Sequence, residues 1–146
     1  MRSRPVLAAL TLALAACRSP AADARRSGAV RYDGRTLAEW WELRRGADAA
    51  SEQQANVAMR MIGPAAVPFL AAKAASHDLG DMVGGSVALQ NMCTGAVPAM
   101  EAARSEYPSA ALDAAIKRVK ASASDAVRFG LCTSAGEPVR SGERGE

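Results

Sequence analysis

Residues 56–75, NVAMRMIGPAAVPFLAAKAA, align at an offset of 30 with residues 86–105, SVALQNMCTGAVPAMEAARS. Identical pairs are Val57/Val87, Ala58/Ala88, Ala66/Ala96, Val67/Val97, Pro68/Pro98 and Ala72/Ala102. The alanine matches carry little weight, because 34 of the 146 residues are alanine. The shared Ala-Val-Pro at one phase carries more, with Met59 over Leu89, Ile62 over Met92 and Leu70 over Met100. Each copy holds two apolar stretches of helical period on either side of a turn. A fixed period of this size with two helices per unit points to stacked helix pairs.

Composition agrees. Val, Ile and Thr together supply 16 residues, fewer than half the alanines. Alanine loses no side-chain entropy in a helix and gives a pleated sheet nothing to pack. Aromatics make up 4%. The chain is therefore expected to be all-α, with room for one domain.

Outward from the repeat, start and stop signals mark the helices. Asp33-Gly34 is a turn. Thr36-Leu-Ala-Glu39 is a capping box opening a helix to Arg45, with Leu37, Trp40 and Trp41 on one side. Asp48 caps a helix over 49–61 with Val57, Ala58, Met61 and Ile62 inward. Gly63-Pro64 breaks it, and 66–76 follows with Val67, Leu70, Ala71 and Ala74 on one face. Asp81 is expected to cap 82–92, with Val83, Val87, Ala88 and Met92 inward. A helix over 96–106 stops at Pro108. Ser109 caps 110–120, whose stripe is Leu112, Ala115, Ile116 and Val119, with Asp113 and Lys117 paired on the wet face. Ser124 caps a last short helix ending at Gly130. The tail 132–146 has no apolar face and is expected to be disordered.

The segment IGPAAVPFL (62–70) resembles the turn and second-helix start of a HEAT-like repeat, and YDGRTLAEWWELRR (32–45) is similar to leaders that precede such arrays in exported bacterial proteins. The resemblance covers 31–131. It implies a short right-handed stack of antiparallel helix pairs, an α-solenoid, with two repeats and a decayed third unit over 109–131. The second copy departs from the pattern at Cys93 and Thr94, which replace Gly63 and Pro64.

The chain opens MRSRPVLAALTLALAAC. Arg2 and Arg4 precede an eleven-residue apolar run, Val6 to Ala16, which fits a secretory signal and is shorter than the roughly 20 residues needed to span a bilayer. Leu14-Ala15-Ala16-Cys17 resembles the lipobox of bacterial lipoproteins. The resemblance implies removal of 1–16 and acylation of Cys17, which makes the protein a membrane-anchored resident of the bacterial cell envelope. Arg18 after the cysteine points by the enteric sorting rule to the outer membrane, facing the periplasm. Residues 17–30 then read as the lipidated cysteine and a flexible tether, with a reach of about 20 Å.

Loss of 1–16 removes Arg2 and Arg4 and no acid, leaving 16 basic against 15 acidic side chains. The net charge of +3 is thus largely a targeting feature. It gives no reason to expect nucleic-acid binding.

Cys93 and Cys132 are a candidate disulfide in an oxidising compartment, closing a loop of about 40 residues. The alternative is two buried thiols. Trp40 and Trp41 have two readings, closing the end of the helix stack or supplying an aromatic anchor for a partner. His77, the single histidine, has no ligand nearby and reads as a loop residue. Asp78-Leu-Gly-Asp81 lacks the alternating carboxylates of a calcium loop. Met59, Met61, Met82, Met92 and Met100 read as core filler, the alternative being an adaptable methionine-lined groove. No nucleophile elbow or zinc motif is present, so no catalytic, metal or cofactor site and no small-molecule substrate are expected. The function class is a non-catalytic module for binding or scaffolding an unknown protein partner. The competing reading is a small enzyme, or an accessory subunit of an envelope machine, on the same scaffold.

Overall fold

A computed structural model describes residues 19–46 and 48–140 of the chain. The expected signal segment 1–16 and Cys17 lie outside the described residues, as do 141–146. The described chain is all-α apart from one small hairpin. Its elements are α1 (Pro20–Ser27), β1 (Arg31–Tyr32), β2 (Arg35–Thr36), α2 (Leu37–Gly46), α3 (Ala49–Ile62), α4 (Val67–Ala74), α5 (Leu79–Gln90), α6 (Val97–Ala103), α7 (Ala110–Ala121) and α8 (Ala123–Arg128).

The local signals act as their chemistry dictates. Asp33 and Gly34 both take positive φ, 48° and 76°, as a two-residue hairpin turn requires. They join β1 to β2 in the register Arg31↔Thr36 and Tyr32↔Arg35. The capping box closes in both directions: Thr36 N–H donates to Glu39 Oε2 at 2.6 Å, and Glu39 N–H donates to Thr36 Oγ1 at 3.2 Å. The bonds from Thr36 hold the Glu39 carboxyl below its ordinary pKa. Asp48 accepts from Ser51 N–H at 2.9 Å and Ser109 from Leu112 N–H at 3.1 Å. Gly63 ends α3 at φ 64°, a 3-10 turn over Gly63–Ala66 carries Pro64, and Pro68 sits in the first turn of α4, where its missing N–H leaves no bond unmade.

Two caps differ from expectation. Asp78 caps α5 by accepting from Asp81 N–H at 2.8 Å, one turn earlier than the sequence suggests. Asp81 is released to bind cations. Ser124 lies inside α8, which starts at Ala123 without a side-chain cap. On α7 the stripe Leu112, Ala115, Ile116 and Val119 is buried as its spacing predicts. Asp113, however, takes Arg104 at 2.7 Å rather than Lys117, because the loop after α6 brings the guanidinium beside it.

Leu37, Trp41, Met59, Val67, Leu70, Leu89, Met100, Leu112 and Val119 are fully buried and draw on α2 through α7. The most extensive helix interfaces are α4 with α5, α2 with α3, and α5 with α7, followed by α4 with α6. Pairing is out of phase with the sequence repeat. The two helices of the first copy, α3 and α4, are successive parts of one bent run, Ala49–Ala74, and share no large interface. The Gly63 turn bends the chain rather than folding α4 back on α3. Chain reversal comes at the loops 75–78 and 104–109, after which α5 packs on α4 and α7 on α6. The run Ala49–Ala74 has the length and hydropathy of a membrane span, and half of its apolar 18-residue window is buried inside the domain.

Two segments expected to lack structure have it. Within the expected tether, Pro20 starts α1 and Gly28 ends it in the left-handed conformation at φ 72°. Ala38 N–H donates to Gly28 O at 3.0 Å, α1 packs on α4, and Arg26 pairs with Glu106 at 2.8 Å. Within the expected tail, Thr133 N–H donates to Glu137 O at 2.7 Å, Cys132 bridges to Pro138, and Gly95 N–H donates to Gly136 O at 2.8 Å. The disulfide at Cys132 and these backbone bonds order a segment that has no apolar stripe.

A candidate docking face on α5 and its basic end

Trp40 and Trp41, the sequence candidates for a partner anchor, are 6% and 0% exposed. Neither reaches solvent as an anchor must. Trp40 Nε1 donates to Tyr32 O at 2.9 Å, under Arg35 at 5.0 Å from the ring centre. Trp41 meets Phe69 edge-on with centroids 6.0 Å apart. Arg44 and Lys73 stand over the Trp41 ring at 5.6 and 5.5 Å. Adjacent tryptophans can both be buried here because one packs under the β1–β2 hairpin and the other against α4.

Cys93 and Cys132 are joined by a disulfide with Cα atoms 5.8 Å apart. It ties the α5–α6 turn to the segment after α8. His77 is exposed in the loop before α5. Among the described residues no three His, Cys, Asp or Glu side chains converge as metal ligands.

The surface that does stand out is on α5. Val83 and Val87, expected inward, are exposed at 51% and 37%, together with Leu79 at 67% and Met82 at 38%. Only part of the expected methionine core is buried: Met59, Met92 and Met100 are, whereas Met82 belongs to this outer stripe. The helix is rotated so that Gly84, Gly85, Ala88 and Leu89 face the core. The reason lies in α4, whose backbone at Leu70 and Ala74 faces α5. A Cβ on Gly85 would stand 2.5 Å from Ala74 N and 2.9 Å from Leu70 O. Two glycines in mid-helix cost about 1 kcal/mol each against alanine, and the close approach they permit offsets that loss.

The consequence is an outer face of Leu79, Met82, Val83, Ser86, Val87 and Gln90 with no ionisable group. A solvated helix face ordinarily carries charge. One turn past Val87 the face ends in a cavity of about 290 Å³, whose lining includes Arg60, Gln90, Arg118, Asp125, Phe129 and Leu131. Phe129 is 70% exposed at its rim. Arg60, on α3, is partly buried, and burial pulls its guanidinium below the ordinary pKa.

The sequence reading missed these residues, although signals were present. Residues 79–90, LGDMVGGSVALQ, hold a single ionisable side chain, Asp81. Arg60 and Arg118 have no carboxylate three or four positions away on their own helices. Comparison of the chain with protein-family models, curated proteins and solved structures finds no match.

Proposed function

We propose that this chain is a non-catalytic, lipid-anchored protein of the bacterial envelope that binds a protein partner through the outer face of α5. The uncharged stripe Leu79, Met82, Val83 and Val87 carries this reading, because exposed apolar surface of this kind on a soluble domain marks a contact site. The laying of α4 and α5 against α6 and α7 supports the HEAT-like, solenoid form of the domain. The lipobox-like Leu14-Ala15-Ala16-Cys17 supports the anchor, and with it an outer-membrane, periplasm-facing location.

The occupant we assign is an apolar helix or extended segment of another envelope protein. A second copy fits less well. The stripe is about 18 Å long at 1.5 Å per residue and offers a few hundred Å² per copy, against at least ~600 Å² from each copy of a stable dimer. A bilayer fits less well too, since α5 has no Lys or Arg to meet lipid headgroups.

The test is a photo-crosslinking residue at position 83 of the tagged full-length protein, activated in cells. A single heterologous protein adduct, lost together with co-purification in a Leu79→Ser/Val87→Ser variant of unchanged melting temperature, is the expected result. Self-adducts, lipid adducts or no adduct would overturn it.

A further inference from the structure

The cavity at the end of α5 is lined by two arginines, Arg60 and Arg118, that pair with no acid among the described residues. The ion pairs there engage Arg26, Arg44, Arg45, Lys73, Arg104 and Lys120, and neither Arg60 nor Arg118. Arginine stays charged in any folded protein, so a half-buried one without a partner has lost water and gained no anion. Here Arg60, from α3, is such a residue, and the exposed Arg118 of α7 lines the same cavity.

The rest of the lining restricts what could fill it. Asp125 lines the same cavity and forms an ion pair with neither arginine, so the three side chains sum to a single positive charge. That favours a monoanion over a phosphate dianion. Phe129 and Leu131 form an apolar lip, and Gln90 carries the surface back one turn to Val87 on the stripe. Guanidiniums meet a carboxylate through paired N–H donors, the strong geometry for this charge.

We propose that this cavity receives one carboxylate borne on an apolar segment, the acidic side chain or free C-terminus of a partner chain lying along α5. The proposal rests on the protein-binding reading of the α5 face. Arg60 and Arg118 hold the carboxylate, and Phe129 and Leu131 cover the adjoining side chain.

The test uses the folded protein and three fluorescein-labelled peptides of leucine and alanine. One ends in a free carboxylate, one carries a glutamate beside an amidated end, and one is amidated with no acid. Saturable binding of the first or second, about tenfold tighter than the third, is expected, and which of the two binds better identifies the source of the carboxylate. Arg60→Gln and Arg118→Gln each erase that preference without lowering the melting temperature, because neither guanidinium has a partner to lose. No binding by any peptide, binding blind to the carboxylate, or equal displacement by inorganic phosphate would overturn the proposal. A Leu79→Ser/Val83→Ser variant separates the two readings. If it leaves peptide binding intact while the arginine variants abolish it, the docking face on α5 fails and the carboxylate site stands.

Discussion

Lys73 and Asp81 meet at 2.9 Å across the interface of α4 and α5, with the Lys73 ammonium 5.5 Å above the centre of the Trp41 ring. Arg45 adds a second cation 3.5 Å from the same carboxylate, and the Trp41 indole N–H faces it. The hydrogen bond from Lys73 is the main reason the Asp81 pKa lies below the ordinary carboxylate value; the charges of Lys73 and Arg45 act the same way, and burial opposes them. A carboxyl whose pKa is depressed on folding stabilises the fold above its unfolded pKa of about 3.9, and that contribution is lost as pH falls through the folded value. Asp81→Asn should therefore lower stability at neutral pH by about 1–2 kcal/mol. Urea melts of both proteins from neutral pH downward should show a constant gap that closes below about pH 4. A gap that persists in acid would mean the amide disturbs packing rather than removing the charge.

Gly85 carries the same interface at its closest point. Its Cα faces the backbone of Leu70 and Ala74, so a methyl group there has no flexible neighbour to push aside. Gly85→Ala gains helix propensity of about 1 kcal/mol and still should lose about 1–3 kcal/mol net, since overpacking of a rigid contact outweighs it. Gly80→Ala, on the open side of the same helix near only the Asp78 side chain, should be neutral or stabilising. Thermal melts of the two variants decide the point; equal effects would show that α5 does not lie so close to α4.

The contrast between these two glycines marks what the sequence discloses. Thr36 with Glu39, Asp33-Gly34, Ser109 and the α7 stripe are read correctly because each depends on residues within four positions. The rotation of α5 is not local. Apolar periodicity alone favours Val83 and Val87 as the inner face, and the backbone of α4 decides for Gly84 and Gly85 instead. For the same reason the repeat period is visible while the pairing phase is not: it depends on whether Gly63 bends the chain or reverses it. The basic cavity is illegible in any one segment, because Arg60, Arg118 and Phe129 come from three elements.

The docking of α1 is a second nonlocal contact with a sharp test. Gly28 combines φ 72° with a Cβ position 2.9 Å from the Phe69 ring and 3.1 Å from Ala38 N. Alanine there is strained by the left-handed backbone, by about 1–2 kcal/mol, and forces the ring away. Gly28→Ala should detach α1, seen as faster amide exchange over 20–29 with the exchange of α7 unchanged. If exchange over 20–29 is already fast in the parent protein, the segment is the tether its composition suggests, and the domain stands farther from any anchor at Cys17.

The disulfide offers the last test, and its effects divide by region. Cys93 and Cys132 are 39 positions apart, so the bridge removes loop entropy from the unfolded chain by about 4 kcal/mol in the chain-entropy account. Cys93→Ser/Cys132→Ser should therefore lower global stability by up to that amount while the core from α2 to α7 keeps its fold. The local effect is larger than the global one. Residues 131–140 have no apolar stripe and are held by the bridge, by the Gly136 carbonyl on Gly95 N–H, and by the Val139 N–H bond to Leu131 O at 3.1 Å. Without the bridge this segment should exchange freely, and with it Leu131 and Phe129 should lose their place at the rim of the basic cavity. Carboxylate preference in the peptide assay should then fall in the reduced protein although Arg60 and Arg118 are untouched. Full retention of that preference after reduction would show that the α3 and α7 arginines suffice and that the stapled segment serves stability alone.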